Sequence, residues 1–337
     1  MATTSLSKAE KSYIQAGLLA TPPQRIDGRD LFDFRTVALE TGVAPLSNGS
    51  ARLNIGKDPQ DGGGGTGVIA ATKLEVENVE EDGTDGGRLV CSVTCSPAAY
   101  PHLSPGALDD LQQDMTTILH QTLSHPSLHP ANLGILPRKK AWLLNLDVVV
   151  LSDAGNVYDA LFMAARAALY DTKVPRTRLV EMHSTKIAQK SWNTTDGMDV
   201  DQSAPSGLDT RQAPPAQDFD LVDYWDEGEE LDGRTRWPVS ITLNIVSSSY
   251  FLDGNLQEEA AVPLRILLVF SFLDVNAPTV QATRMLGSGE IQLDQIKSLL
   301  SDGQKYAWEI FSSLTAKLKD EDVRRTLKDR ERFVTRQ

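Results

Sequence analysis

The sequence predicts an α+β protein in which helices pack on mixed sheets and a long acidic insertion interrupts the second half. Three observations predict it. Apolar residues alternate with polar ones at Leu89, Cys91, Val93 and Cys95, and again at Val239, Ile241, Leu243 and Ile245, the period of half-buried strands. Leu108, Leu111, Met115, Ile118, Leu119 and Leu123 recur at helical spacing, so that helix lays one stripe on a sheet. Residues 184–236 are rich in Asp, Glu, Ser, Thr, Gly and Pro, with few core formers beyond Leu221, Val222, Tyr224 and Trp225. Such a composition reads as a mostly mobile insertion.

The elements follow in chain order. Ser7 with Glu10 fits a capping box, and Ala9, Tyr13, Ile14 and Leu18 then form one apolar helical face that Thr21, Pro22 and Pro23 end. Arg25, Asp27, Gly28 and Arg29 read as a turn with an ion pair. Val37 and Leu39, then Ala51, Leu53 and Ile55, read as antiparallel strands around the Asn48-Gly49 turn. Residues 58–67 and 75–87 are glycine-rich or acidic excursions. Residues 142–151 are nearly all apolar and read as a strand buried on both faces, in which Asp147 needs a partner. After the 153–156 turn, Leu161, Ala164, Ala165, Ala168 and Leu169 form a small-residue helix suited to close packing. Residues 264–273 and 278–286 form a hairpin around Asn276-Ala277. Leu293, Ile296, Leu300, Ala307, Ile310, Phe311 and Leu314 form a long amphipathic helix with Gly303 as its weak point, and the highly charged stretch from Lys317 frays or hangs off as a helical tail. This divides the chain into 1–29, 30–183, the insertion 184–236, 237–320 and a charged tail 321–337.

Bulk properties narrow the function. Across 337 residues 40% are hydrophobic, enough for a core, and no apolar run nears the roughly 20 residues that span a bilayer. No hydrophobic signal segment opens the sequence, so secretion is not expected. Cys91 and Cys95 share one face of a strand and read as buried free thiols. A net charge of −13 repels phosphate overall, so any nucleic-acid contact must be local.

Chemistry-bearing motifs are few. Gly62, Gly64 and Gly67 fit GxGxxG literally, but strand, not helix, follows, which excludes a dinucleotide site. His125 and His129 have helical metal spacing, yet Pro126 and Pro130 break the helix and no acidic third ligand is near. The stretch around Asp253, Asn255, Glu258 and Glu259 is the one acidic cluster in a functional setting. Its acids can serve a metal or a proton transfer, or can be solvated groups at a strand end. Asn255 carries no charge and cannot transfer a proton near neutral pH.

The segments LSKAEKSYIQAG (6–17), RIDGRDLFDFR (25–35), TGVAPLSNGSARLNIG (41–56), the 141–176 stretch and FLDGNLQEEA (251–260) together resemble the ribonuclease PH family, and within it the ring subunits of the RNA exosome. The resemblance implies an RNase PH-like domain in two parts, 30–183 and 237–320, with Arg25, Asp27, Gly28 and Arg29 as a family motif. Active members use orthophosphate to cleave the terminal phosphodiester of RNA, with Asp-x-Asp followed by Glu-Asp and with arginines on the helix matching 107–125. Here Asn255 replaces the second Asp, Glu258 and Glu259 form the following pair, and Thr117 and Gln121 stand at the arginine positions. The resemblance therefore implies a non-catalytic structural subunit of the ring whose channel threads single-stranded RNA for 3′-to-5′ processing and decay, including rRNA maturation and mRNA decay. The alternative is an active phosphorolytic 3′-to-5′ exoribonuclease, or the composite-site partner of one. Implied partners are other RNase PH-like ring subunits, RNA-binding cap subunits and an associated exonuclease, with no cofactor, metal or membrane. The expected setting is nucleus, nucleolus and cytoplasm. Lys139, Lys140, Arg176 and Arg178 are the candidates for RNA contact, against the ordinary alternative of solvated surface charge.

Overall fold

A computed structural model describes residues 6–56, 64–79, 86–180, 218–222, 228–247, 249–274 and 277–335. Helix α1 (Lys8–Leu19) begins at a capping box: Ser7 N donates to Glu10 at 2.7 Å and Glu10 N to Ser7 Oγ at 3.2 Å. Only Ile14 and Leu18 of its expected apolar face are buried; Tyr13 is 79% exposed. Strands β1 (Val37–Thr41), β2 (Gly49–Ile55), β3 (Thr66–Asn78) and β4 (Arg88–Cys95) lead to α2 (Pro105–Leu123). Glu75, expected to open a loop, continues β3. Then come β5 (Gly134–Leu136), β6 (Lys140–Ser152), α3 (Val157–Asp171), β7 (Lys173–Val174) and β8 (Thr177–Val180). After these run β9 (Asp218–Leu221), β10 (Glu229–Glu230), β11 (Val239–Val246), β12 (Ser249–Phe251) and α4 (Leu256–Ala261). The chain closes with β13 (Arg265–Asp274), β14 (Ala277–Leu286) and α5 (Leu293–Thr335).

Two sheets carry the core. The first has the order β1-β2-β3-β6-β4 with β5 beside β6, antiparallel except for the parallel β4–β6 pair. The second, β12-β11-β13-β14, is antiparallel throughout. Helix α3 lies between them, touching β2, β3 and β11, and all its residues except Asp171 are buried. Its alanines permit that approach: a Cβ on Gly49 of β2 would sit 2.6 Å from the Ala168 carbonyl. Burying a helix on every side requires small residues where the backbones come closest.

Among the described residues, helices α2 and α3 cover one face of the first sheet. Strand β6 is accordingly not buried on both faces. Trp142, Leu144, Leu146, Val148 and Val150 point inward, while Asp147 is exposed and accepts from Ser92 Oγ at 2.5 Å. A largely antiparallel sheet can leave one face to solvent, which is where Leu143, Val149 and Leu151 of the apolar run lie, half-buried or exposed. Cys91 and Cys95 are buried free thiols beneath α2, and burial pushes both thiols up in pKa. The 125–130 segment is a short 3-10 turn: His125 accepts from Ser127 N, and His129 Nε2 lies 2.8 Å from the Gly87 carbonyl.

Of the two alternatives for the charged end, helix α5 takes the helical one, but docked rather than hanging off. It continues to Thr335, so the boundary expected at 320/321 falls inside it; Leu318 and Glu321 are buried, and Arg325 pairs with Asp171. Gly303 is a close-approach position, where a Cβ would meet Leu268 Cδ1 at 2.5 Å. Phe272, Trp308 and Phe311 cluster under the helix at centroid distances of 4.9–5.7 Å. Arg166 of α3, fully buried, lies 4.1 Å from the Phe311 ring centre and donates to the Trp237 carbonyl and, at 3.1 Å, to Thr315 Oγ1. Burial pulls its pKa down to about 9.

Parts of the acidic insertion are built into the fold. Strand β9 pairs with β8, β10 pairs with β7, and Leu231 is buried, whereas Leu221 and Val222 are exposed. Residues 184–217 and 223–227, with Tyr224 and Trp225, lie outside the described residues, as does Gly62 of the literal GxGxxG.

Candidate functional site

The 251–260 stretch forms a loop and a short helix, α4, not a loop or strand with solvated acids. Asn255 is the N-cap of α4: its Oδ1 accepts from Glu258 N at 2.9 Å, and Glu258 Oε2 accepts from Asn255 N at 3.0 Å. The N-x-x-E spacing is a capping box, which gives Asn255 a structural task in place of the acid expected there.

Each acid of the cluster is taken by arginine. Asp253, fully buried and with φ at +45°, accepts five hydrogen bonds. Oδ2 receives Arg35 N at 2.7 Å, Arg35 Nε at 2.9 Å and Arg29 Nη1 at 2.9 Å. Oδ1 receives Arg35 Nη2 at 2.7 Å and Asn156 Nδ2 at 3.0 Å. Burial raises its pKa, but the hydrogen bonds and charge of Arg35, with Arg29 behind them, outweigh it and hold the carboxyl below its ordinary value. Glu258 makes a two-pronged pair with Arg25, Nε at 3.0 Å and Nη2 at 2.6 Å, both side chains being fully buried. Glu259 pairs with Arg265 at 2.7 Å; burial raises its pKa, and Arg265 opposes that.

The expected turn with an ion pair is therefore also a long-range clamp. Arg29 does pair with Asp27, at 2.7 Å. Gly28, with φ at +75°, lets the chain turn back so that Arg25 N-terminal to it and Arg29 after it both donate to the Asp253 carbonyl, at 2.8 and 3.0 Å. Arg25 also donates to the Leu252 carbonyl at 3.1 Å.

The loop before α3 closes the site from the other side. Arg35 donates to the carbonyls of Ala154 at 3.0 Å and Gly155 at 3.1 Å, and Thr66 Oγ1 donates to Gly155 O at 2.6 Å. Gly155, with φ at +97°, has no room for a Cβ because the 254–256 backbone packs against it. The N-terminus of a helix is a natural seat for an anion. At α3 one amide of that seat is taken from within: the N-cap Asn156 N donates to Glu259 Oε1 at 2.7 Å. The chemistry left to the cluster is structural. Four arginines bind three acids, of which Asp253 and Glu258 are fully buried and Glu259 partly so. Among the described residues, no group of three or more His, Cys, Asp or Glu side chains could hold a metal.

Thr117 and Gln121 lie on the solvent side of α2, with Thr117 Oγ1 donating to Gln113 O at 2.7 Å. Asp114 on the same helix accepts from Tyr158 at 3.2 Å and pairs with Arg284. The RNA-contact candidates gather elsewhere. Lys140 pairs with Asp218 at 3.1 Å, Arg176 pairs with Glu229 at 3.2 Å, Arg178 stands opposite Asp220, and Lys139 is exposed in the turn before β6. Reading the sequence did not single out Arg35, Asn156 or Arg265. The available signal was a balance of charge, since three acids destined for burial require cations.

Residues 33–175 match the model of the 3′ exoribonuclease family, domain 1. The chain is 36% identical over 165 residues to the exosome complex component Rrp42 of Saccharolobus solfataricus, a match covering 49% of this chain and 56% of that protein. It is 34% identical over 190 residues to the same component of Sulfurisphaera tokodaii, covering 56% and 64%. The matches thus span little more than half the length of these curated relatives. Among solved structures it is similar to a chain of the Archaeoglobus fulgidus exosome with RNA bound to the active site, with TM-score 0.64 and 21% identity over 90% of this chain and 97% of that one. It is also similar to a chain of an archaeal exosome core, with TM-score 0.62 and 20% identity over 91% and 96%.

Proposed function

We propose that this chain, a member of the RNase PH family by its fold and by the match over residues 33–175, is a non-catalytic ring subunit of an RNA exosome core. On this reading it supplies interface surface and part of the wall of a channel that threads single-stranded RNA for 3′-to-5′ processing and decay. Its partners are other RNase PH-like subunits, RNA-binding cap subunits and an associated exonuclease, and its setting is nucleus, nucleolus and cytoplasm. Both relatives at 34–36% identity carry the name of an exosome component, which supports the assignment to a ring.

One observation carries the non-catalytic part. Phosphorolysis needs an acid free to hold a metal or give a proton, and donors free to hold orthophosphate. Here Asp253 and Glu258 are fully buried and Glu259 partly so, all in contact with arginines, and Glu259 occupies the N-cap amide of α3. Freeing any of them breaks a buried ion pair, at about 3–5 kcal/mol.

Co-expression with other RNase PH-like subunits, followed by size-exclusion chromatography and a phosphorolysis assay, tests both parts. The expected result is a stoichiometric complex, with no phosphate-dependent release of nucleoside diphosphates by this chain alone. A stable monomer that ignores those subunits would overturn the ring assignment. Nucleoside diphosphate release abolished by Asp253→Ala would overturn the non-catalytic one.

A further inference from the structure

Strands β8 and β9 form a two-stranded ladder separate from both large sheets. Such a ladder is weakly held on its own, and Leu179, Leu221 and Val222 on it are exposed. Its two strands carry opposite charge. Arg178 of β8 pairs in register with Asp220 of β9, and Val180 with Asp218. Asp218 also binds Lys140 at the start of β6, at 3.1 Å, and Arg176 just before β8 binds Glu229 at 3.2 Å. Three cations thus line one strip, and each faces a carboxylate from the returning acidic segment.

The acids are spaced as a stretched polyanion would be. Asp218 and Asp220 lie two residues apart on an extended strand, about 6.6 Å by strand geometry, on the side that meets Arg178 and Lys140. Between them Phe219 sits under the Lys140 ammonium, 5.3 Å from ring centre, and edge-on to Trp142 at 6.3 Å. Moving β9 and the Glu229 side chain aside would bare three cations beside the Trp142 ring, the pairing that binds single-stranded nucleic acid by charge and stacking. The two ion pairs that hold this cover in place, Lys140–Asp218 and Arg176–Glu229, lie at the surface and are weak, so a competing polyanion can displace them.

We infer that Lys140, Arg176 and Arg178 form a binding strip for the phosphate backbone of single-stranded RNA, and that β9 with Glu229 covers it as an internal substitute for that backbone. The choice of RNA as ligand rests on the proposed ring function; the strip and its acidic cover rest on the geometry.

Fluorescence anisotropy of a labelled single-stranded oligoribonucleotide with the full chain tests this. The acid-neutralised variant Asp218→Asn/Asp220→Asn/Glu229→Gln should bind about tenfold more tightly than wild type, through release of two surface ion pairs and of the Asp220 charge opposite Arg178. Adding Lys140→Ala/Arg176→Ala/Arg178→Ala should erase that gain and flatten the log–log salt dependence by about two. Unchanged affinity in the acid-neutralised variant overturns the inference. So does a gain that survives loss of the three cations, which would report only the reduced net negative charge. Competition by polyglutamate as effective as by unlabelled RNA would make this an acidic-protein site and overturn the choice of ligand. Co-assembly of the acid-neutralised variant with RNase PH-like subunits reads the ring assignment separately, so the two can fail independently.

Discussion

Asp253→Asn separates a structural acid from a catalytic one. The substitution keeps size and shape but removes the charge. Asp253 accepts from Arg35 N, Nε and Nη2, from Arg29 and from Asn156. An asparagine that keeps its oxygen in the Oδ2 position retains three of those bonds and turns an N–H₂ toward Arg35 Nη2 and Asn156 Nδ2, donor against donor. Two partly buried guanidiniums also lose their anion. Breaking one partner of a buried pair costs about 3–5 kcal/mol, a large share of the roughly 5–15 kcal/mol that holds a domain folded. With a urea m-value of about 3 kcal/mol/M, the midpoint falls by roughly 1 M or more. The pH dependence has a definite sign. The folded carboxyl is held below its ordinary value, so its contribution is present above the unfolded pKa of about 3.9 and is lost as pH falls through the folded one. The gap between wild type and variant should therefore be constant from neutral pH down to about 5 and shrink below about 4. Urea titrations across that range check it. A variant as stable as wild type, or more stable, would refute the structural role, since catalytic acids are commonly held at a cost to stability.

Asp159 gives the opposite pH response. It is fully buried, accepting from Ser240 Oγ, Thr242 Oγ1 and Thr242 N, and burial raises its pKa to about 6 over the hydroxyl and amide bonds that lower it. A raised folded pKa costs stability as pH rises from about 4 to about 6, by about 3 kcal/mol at 1.36 kcal/mol per unit. Asp159→Asn, whose amide nitrogen can donate to the two hydroxyls, should match wild type near pH 4 and exceed it at pH 8 in denaturant titrations; equal stability at both would refute this. Gly303→Ala should destabilise by about 1 kcal/mol in the same assay: overpacking against Leu268 costs about 1–3 kcal/mol, and helix propensity returns up to about 1. Stabilisation there would mean that α5 does not rest on β13 at this point.

Period and spacing made most of the fold legible. The hairpins, α2, α3 and the capping box at Ser7 all follow from short-range rules; the capping box at Asn255 obeys the same rule, but that stretch reads as a strand end. Longer-range facts were not readable in the same way. The apolar run of β6 was expected to be covered twice, because local sequence does not say whether a helix lies over a second face. Highly charged residues after Lys317 resembled a frayed or free helical tail, yet Leu318 and the Arg325–Asp171 pair dock them. At the site, the residue types at 253–259 were visible, but their environment was set by Arg25, Arg29 and Arg35, more than 200 residues earlier, and by the 153–156 loop. Burial turned an acidic patch into an ion-paired joint, and burial is a property of the assembled fold.

Titrating orthophosphate into the purified chain in the presence of magnesium, observed by ³¹P NMR, asks directly whether the seat at the α3 N-terminus is open. With Glu259 on that amide and Asp253 held by arginines, the phosphate resonance should neither shift nor broaden. A saturable shift in wild type that disappears in Asp253→Ala would mean that this chain holds phosphate itself, and would contradict the account.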